Sequence, residues 1–122
     1  MAENHFEALV RRSGTVPVID MQGEVNAFAE EPLNAAFREA SLSQPERVLL
    51  NFRDVTYINS TGIALIVALL AQARKTRMAL LVTGLSEHYR HIFSITRLAD
   101  FMTIYDNEDA AVAQAGPAVA ET

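Results

Sequence analysis

Val48-Leu49-Leu50-Asn51-Phe52, then Arg53 to Ile58, then Asn59-Ser60-Thr61-Gly62 running into Ile63-Ala64-Leu65-Ile66-Val67-Ala68-Leu69-Leu70, is the stretch on which the architecture turns. The first five residues form a short, nearly continuous apolar run, the pattern of a central strand covered on both faces. A turn is expected after Phe52, and Ile63 to Thr76 has the length and residue types of a helix. Met78 to Val82 repeats the buried-strand pattern and is stopped by Thr83-Gly84. Each of the two strands is apolar on both sides, so both are expected to be central and parallel.

Working outward, Phe6 to Arg12 and Thr15 to Gln22 are β-leaning segments separated by Ser13-Gly14, the spacing of a hairpin, with Pro17 confining the second to an edge or an irregular start. Glu30-Glu31-Pro32 opens a helix, because proline suits the first helical position and carboxylates suit the positive helix end. Leu33, Ala36, Phe37 and Ala40 give that helix one apolar face, and Ser41 to Pro45 ends it. Ser86 can cap a helix over Glu87 to Ile95, with Ile92 and Ile95 on its apolar face. Phe101 to Tyr105 is expected as a last strand and Glu108 to Ala115 as a last helix. The fold class is therefore α/β: a single-layer mixed sheet with parallel central strands covered by helices. Residues 1–115 read as one domain and 116–122 as a frayed tail.

The 122 residues are half hydrophobic and one fifth charged, the composition of a folded globule that needs neither disulfides nor a metal. The chain has no cysteine, which removes disulfides, thiol nucleophiles and cysteine-ligated zinc together. A net charge of −5, spread over both halves, argues against direct nucleic-acid binding. The start, Met1-Ala2-Glu3-Asn4-His5, lacks the features of a secretion signal. The longest apolar run, Ile63 to Ala71, falls well short of the roughly 20 residues that span a bilayer, so a cytoplasmic protein without membrane insertion is expected. His88 and His91 lie three apart on a helix, but without a nearby acidic pair at ligand spacing they make a poor metal site. There is no glycine-rich phosphate loop, no Gly-x-Ser-x-Gly elbow and no convincing acid–base pair, so neither catalysis nor a cofactor is expected.

The chemistry concentrates at Asn59-Ser60-Thr61-Gly62. A helix N-terminus leaves backbone N–H groups unpaired and carries partial positive charge, so a hydroxyl there caps the helix and a phosphate there is stabilised. Two roles stay open for Ser60: a plain cap, or a cap that is also a phosphorylation switch adding about −1.5 to −2 charges. The following helix is apolar on more sides than one sheet can cover. Its surplus packs either on Leu33, Phe37 and the final helix, or forms an exposed strip for a partner.

Asp54-Val55-Thr56-Tyr57-Ile58-Asn59-Ser60-Thr61-Gly62-Ile63 resembles the signature of STAS domains, and agreement extends over nearly the whole chain. Gly23-Glu24-Val25-Asn26 is similar to the family's loop after its second strand, Ile92-Phe93-Ser94-Ile95-Thr96 with Leu98 to its penultimate-helix ending, and Asp106 to Ala111 to the entry of its final helix. The resemblance implies a stand-alone anti-sigma factor antagonist, a non-enzyme that binds an anti-sigma factor which is also a serine kinase, with a serine phosphatase resetting it. It places the phosphoacceptor at Ser60, with Thr61 as the neighbouring alternative, and the partner surface at Asn26, Asn59, Ser60, Thr61 and Gly62. Asn59 and Asn26 stand where many relatives carry aspartate, and Arg97 where the family usually has glycine. Both amides keep hydrogen-bonding capacity without the charge. A second role open to the family is a scaffold or accessory subunit in stress-signalling or transport complexes, and a third is a small anionic ligand held at the helix N-terminus.

Overall fold

The computed structural model describes residues 6–114. Five strands form one sheet in the order β1-β2-β3-β4-β5: β1 Phe6–Ser13, β2 Val16–Val25, β3 Arg47–Ile58, β4 Ala79–Thr83 and β5 Thr103–Tyr105. The hairpin of β1 and β2 is antiparallel, and β2 to β5 run parallel. The helices are α1 Glu30–Ser41, α2 Ser60–Lys75, α3 Glu87–Ile95 and α4 Glu108–Gln114. The expected helix end at Ala115 and the 116–122 tail lie outside the described residues.

The two apolar runs lie inside the sheet, as their two-sided hydrophobicity requires. Val48, Leu50 and Phe52 face a core shared with α1, α2 and α3, whereas Leu49 faces a smaller cluster with Val16, Val18, Leu81 and Ala111. On α1 the buried residues are Leu33, Ala36, Phe37 and Ala40, as their spacing predicts.

Several expectations are corrected. No turn follows Phe52, because β3 continues to Ile58 alongside β2, which itself runs three residues beyond Gln22. The ladder tolerates irregular register at Asp20/Gln22 and Gly23/Glu24, and the exposed Arg53, Asp54, Thr56 and Tyr57 give this half of the strand the polarity of a turn. Pro17 does not put β2 at an edge: it opposes only Arg12 of β1, and pairing with β3 starts one residue later at Val18. The last strand excludes Phe101, which ends a 3₁₀ turn at Leu98–Phe101. On α3, Ile95 points to solvent at 61% exposure, and Phe93 is the buried side chain, edge-on to Phe52 with ring centroids 6.0 Å apart. The final helix lies on the face of the sheet opposite α2, so α2 packs on Leu33 and Phe37 without it. Arg97, which stands where the family usually has glycine, takes the left-handed conformation, with φ 67°.

The α4 start is tied to the sheet by Arg11, whose guanidinium donates to Glu108 at 2.6 and 2.9 Å and to Asp20 from the neighbouring strand. Hydrogen bonding to Arg11 holds both carboxyls below their ordinary range, against a partial desolvation that pushes them up. Carboxyls depressed in the folded state stabilise it fully above their unfolded values and cease to do so as pH falls through the folded ones. Unfolding free energy is therefore expected to decline below about pH 4.5, and Arg11→Met to flatten that decline. Urea titrations between neutral pH and about pH 3 check it, and equal acid slopes for both proteins would refute it.

Candidate functional site

The site is assembled where β2 and β3 end side by side. The Val25 carbonyl is the shared element: the Asn59 N–H donates to it at 3.2 Å, and the first turn of α2 lies directly over it. A Cβ on Gly62 would sit 2.0 Å from that oxygen and 3.0 Å from Ile58 Cγ2, so only glycine permits the approach. Asn26 follows Val25, is buried at 8% exposure, and accepts the Phe28 N–H on its Oδ1 at 3.0 Å, which caps the 3₁₀ turn Ala27–Ala29.

Asn59, not Ser60, caps α2. Its backbone is extended and its Oδ1 accepts the Gly62 N–H at 2.8 Å, while its carbonyl accepts the Ile63 N–H. Ser60 is the first helical residue. Its side chain is exposed and makes no hydrogen bond among the described residues; Thr61 is exposed too. Of the five residues expected to form the site, the fold gathers all five at one end. Ser60 and Thr61 face solvent, Asn59 is half-buried, and Asn26 and Gly62 are buried supports.

This division predicts that Asn59→Ala lowers stability by about 1 kcal/mol, the usual cost of a lost cap. Ser60→Ala is expected to stay within about 0.5 kcal/mol of wild type, as surface substitutions do. Urea midpoints decide between them, and the reverse order would return the capping role to Ser60.

Tyr89 escaped the sequence. From α3 its hydroxyl accepts the Ile58 N–H at 2.9 Å, one residue before the cap, where β4 has already ended and offers β3 no partner. α3 itself is capped by Ser86, whose hydroxyl accepts the Tyr89 N–H. Two exposed aromatics at the same end were also missed, Phe28 at 77% and Tyr57 at 51%.

Chemically, the arrangement presents a free hydroxyl on a fixed first turn whose early N–H groups have no partner inside the helix. A dianion on Ser60 Oγ would sit against those groups and the positive end of α2. Among the described residues no three His, Asp or Glu side chains converge at metal-ligand spacing, and no helix is long and apolar enough to cross a membrane.

A mixed five-stranded sheet with a capped helix rising from the end of its central strand, and a serine opening that helix, defines a STAS architecture; the chain belongs to the STAS domain family, whose model matches residues 7–111. Among its relatives, the anti-sigma-B factor antagonist of Listeria monocytogenes is 26% identical over 90 residues, 74% of this chain and 79% of that protein. The fold is shared with an anti-sigma factor antagonist from Mycobacterium paratuberculosis, at TM-score 0.77 and 19% identity, over 90% of this chain and 93% of that one. It is also shared with the Bacillus cell fate determinant SpoIIAA in its phosphorylated form, at TM-score 0.66 and 18% identity, over 87% and 97%.

Proposed function

We propose that this chain is an anti-sigma factor antagonist, a binding switch without turnover of its own, set by phosphorylation of Ser60. The observation that carries the proposal is the separation of duties at the start of α2: Asn59 holds the helix end, and the Ser60 hydroxyl next to it is exposed and unbonded. Unphosphorylated, the end formed by Ser60, Thr61 and their supports docks on an anti-sigma factor that is also a serine kinase. In the kinase step Ser60 Oγ forms a bond to the γ-phosphorus of ATP, the bond to the β–γ bridging oxygen breaks, ADP leaves, and the hydroxyl proton passes to a base of the kinase. A serine phosphatase hydrolyses the ester and restores the binding form. Asn59 contributes an uncharged cap, so no carboxylate at 59 repels a phosphate on its neighbour. Likeness to the Listeria anti-sigma-B factor antagonist and to phosphorylated SpoIIAA supports this role.

The test is mass spectrometry of the purified protein after incubation with ATP and its cognate serine kinase. One phosphate on Ser60, absent from Ser60→Ala, is expected. Phosphate on Thr61 alone would shift the switch by one residue, and none on either would overturn it.

A further inference from the structure

The net charge of −5 conceals a strong segregation along the strands. At the site end, Glu30, Glu31 and Glu87 have no ion-pair partner among the described residues, whereas the nearest cations, Arg53 and Arg90, are matched by Asp54 and Asp106. At the opposite end, where α1 and α2 finish, Arg38, Lys75 and Arg77 are unpaired, and Glu39 is the one carboxylate there without a partner among the described residues. Shape follows charge. Two grooves flank the end of α2 at the basic end. One, of about 360 Å³, runs between α1 and α2 past Phe37 and Leu42 and is bordered by Arg38 and Lys75. The other, of about 300 Å³, lies beneath Phe101, with Leu70 and Met78 in its wall and the Arg74 guanidinium 5.4 Å above the Phe101 ring. Leu42 is 81% exposed beside the first. The acidic end presents the converse, the projecting aromatics Phe28 and Tyr57 among carboxylates.

We propose that this protein associates head to tail with further copies of itself, the acidic, aromatic end of one molecule seated in the basic, grooved end of the next. Apolar knobs with an acidic rim match the apolar groove between α1 and α2 with its basic rim of Arg38 and Lys75, while the groove at Phe101 carries Asp100 beside Arg74; both halves of the match are on this chain. The contact joins two different patches, so it is heterologous and adds molecules in an open row rather than closing a dimer. It buries Ser60 in every molecule but the terminal one and competes with any partner for that end. The inference is independent of whether Ser60 is phosphorylated.

Sedimentation of the full chain tests it. Weight-average mass is expected to rise with concentration at about 0.01 M ionic strength, where charges act over about 30 Å, and to return to monomer near 1 M, where they act over about 3 Å. Arg38→Glu with Lys75→Glu cancels the excess positive charge of one end; Glu30→Lys with Glu31→Lys cancels the excess negative charge of the other. Neither double variant is expected to assemble alone, and their mixture is expected to recover the concentration-dependent mass. Circular dichroism confirms that each is folded, and Phe28→Ser replaces the second variant, tested alone, should that one not fold. Wild type that stays monomeric at low salt overturns the proposal, even if an acidic peptide of another protein fills the grooves. So does either variant assembling alone, or a mixture that fails to.

Discussion

Gly62→Val is expected to lower the melting temperature by about 10 °C or more, or to leave the protein unfolded, since one such overpacking costs about 3 kcal/mol of a total of about 5–15. The added Cβ would meet the Val25 carbonyl at 2.0 Å, and that oxygen belongs to the backbone of a strand held on both sides, so it has no rotamer to escape into. Relief requires lifting the first turn of α2 off the sheet, which also strains the 3.2 Å bond from the Asn59 N–H and exposes Ile66 and Leu69 behind it. Gly62→Ala creates the same contact with a smaller side chain and should fall between wild type and valine. Thermal melts followed by circular dichroism are sufficient, and a Gly62→Ala protein as stable as wild type would show that α2 does not depend on this approach.

Ser60→Glu is expected to leave folding intact and to weaken binding of the cognate anti-sigma factor by about 30- to 100-fold, the cost of about 2–3 kcal/mol when an unmatched charge is placed in an interface. Within the free protein the added carboxylate stands at the first position of α2, where the helix end favours negative charge by about 0.3–1 kcal/mol, so stability should hold or rise slightly. Ser60→Ala removes a hydroxyl that bonds to nothing among the described residues and should bind within about twofold of wild type. Titration calorimetry beside urea denaturation separates the two effects. Equal affinity of Ser60→Glu and wild type would mean that the partner does not cover the start of α2.

The elements legible from sequence were those whose own periodicity decides them. Leu33, Ala36, Phe37 and Ala40 lie on one face of α1, and the five-residue run at Val48 could be satisfied only inside a sheet. The site's position was legible because a strand, an Asn-Ser-Thr-Gly sequence and an apolar helix follow one another directly. Its fine structure was not. Asparagine and serine are both good caps, and a backbone angle, not residue type, gives the role to Asn59. The polar half of β3 imitates a turn until β2 is seen beside it. Tyr89 reaches Ile58 across 31 residues of sequence, a contact that no local pattern encodes. The side of the sheet taken by α4 depends on the path of the chain after Tyr105, so of the neighbours expected for α2 Leu33 and Phe37 share its core and the final helix does not, and Val67 stays 46% exposed.

Because Asn59 terminates α2 by itself, position 60 is relieved of any duty to the fold. Evolution can therefore exchange the residue there with little thermodynamic penalty. Under the switch proposed above, alanine there would give a permanently receptive antagonist, a carboxylate a permanently silent one, and serine one that obeys a kinase. On that reading, regulation of this domain could be gained or lost through one codon while the scaffold remains as it was.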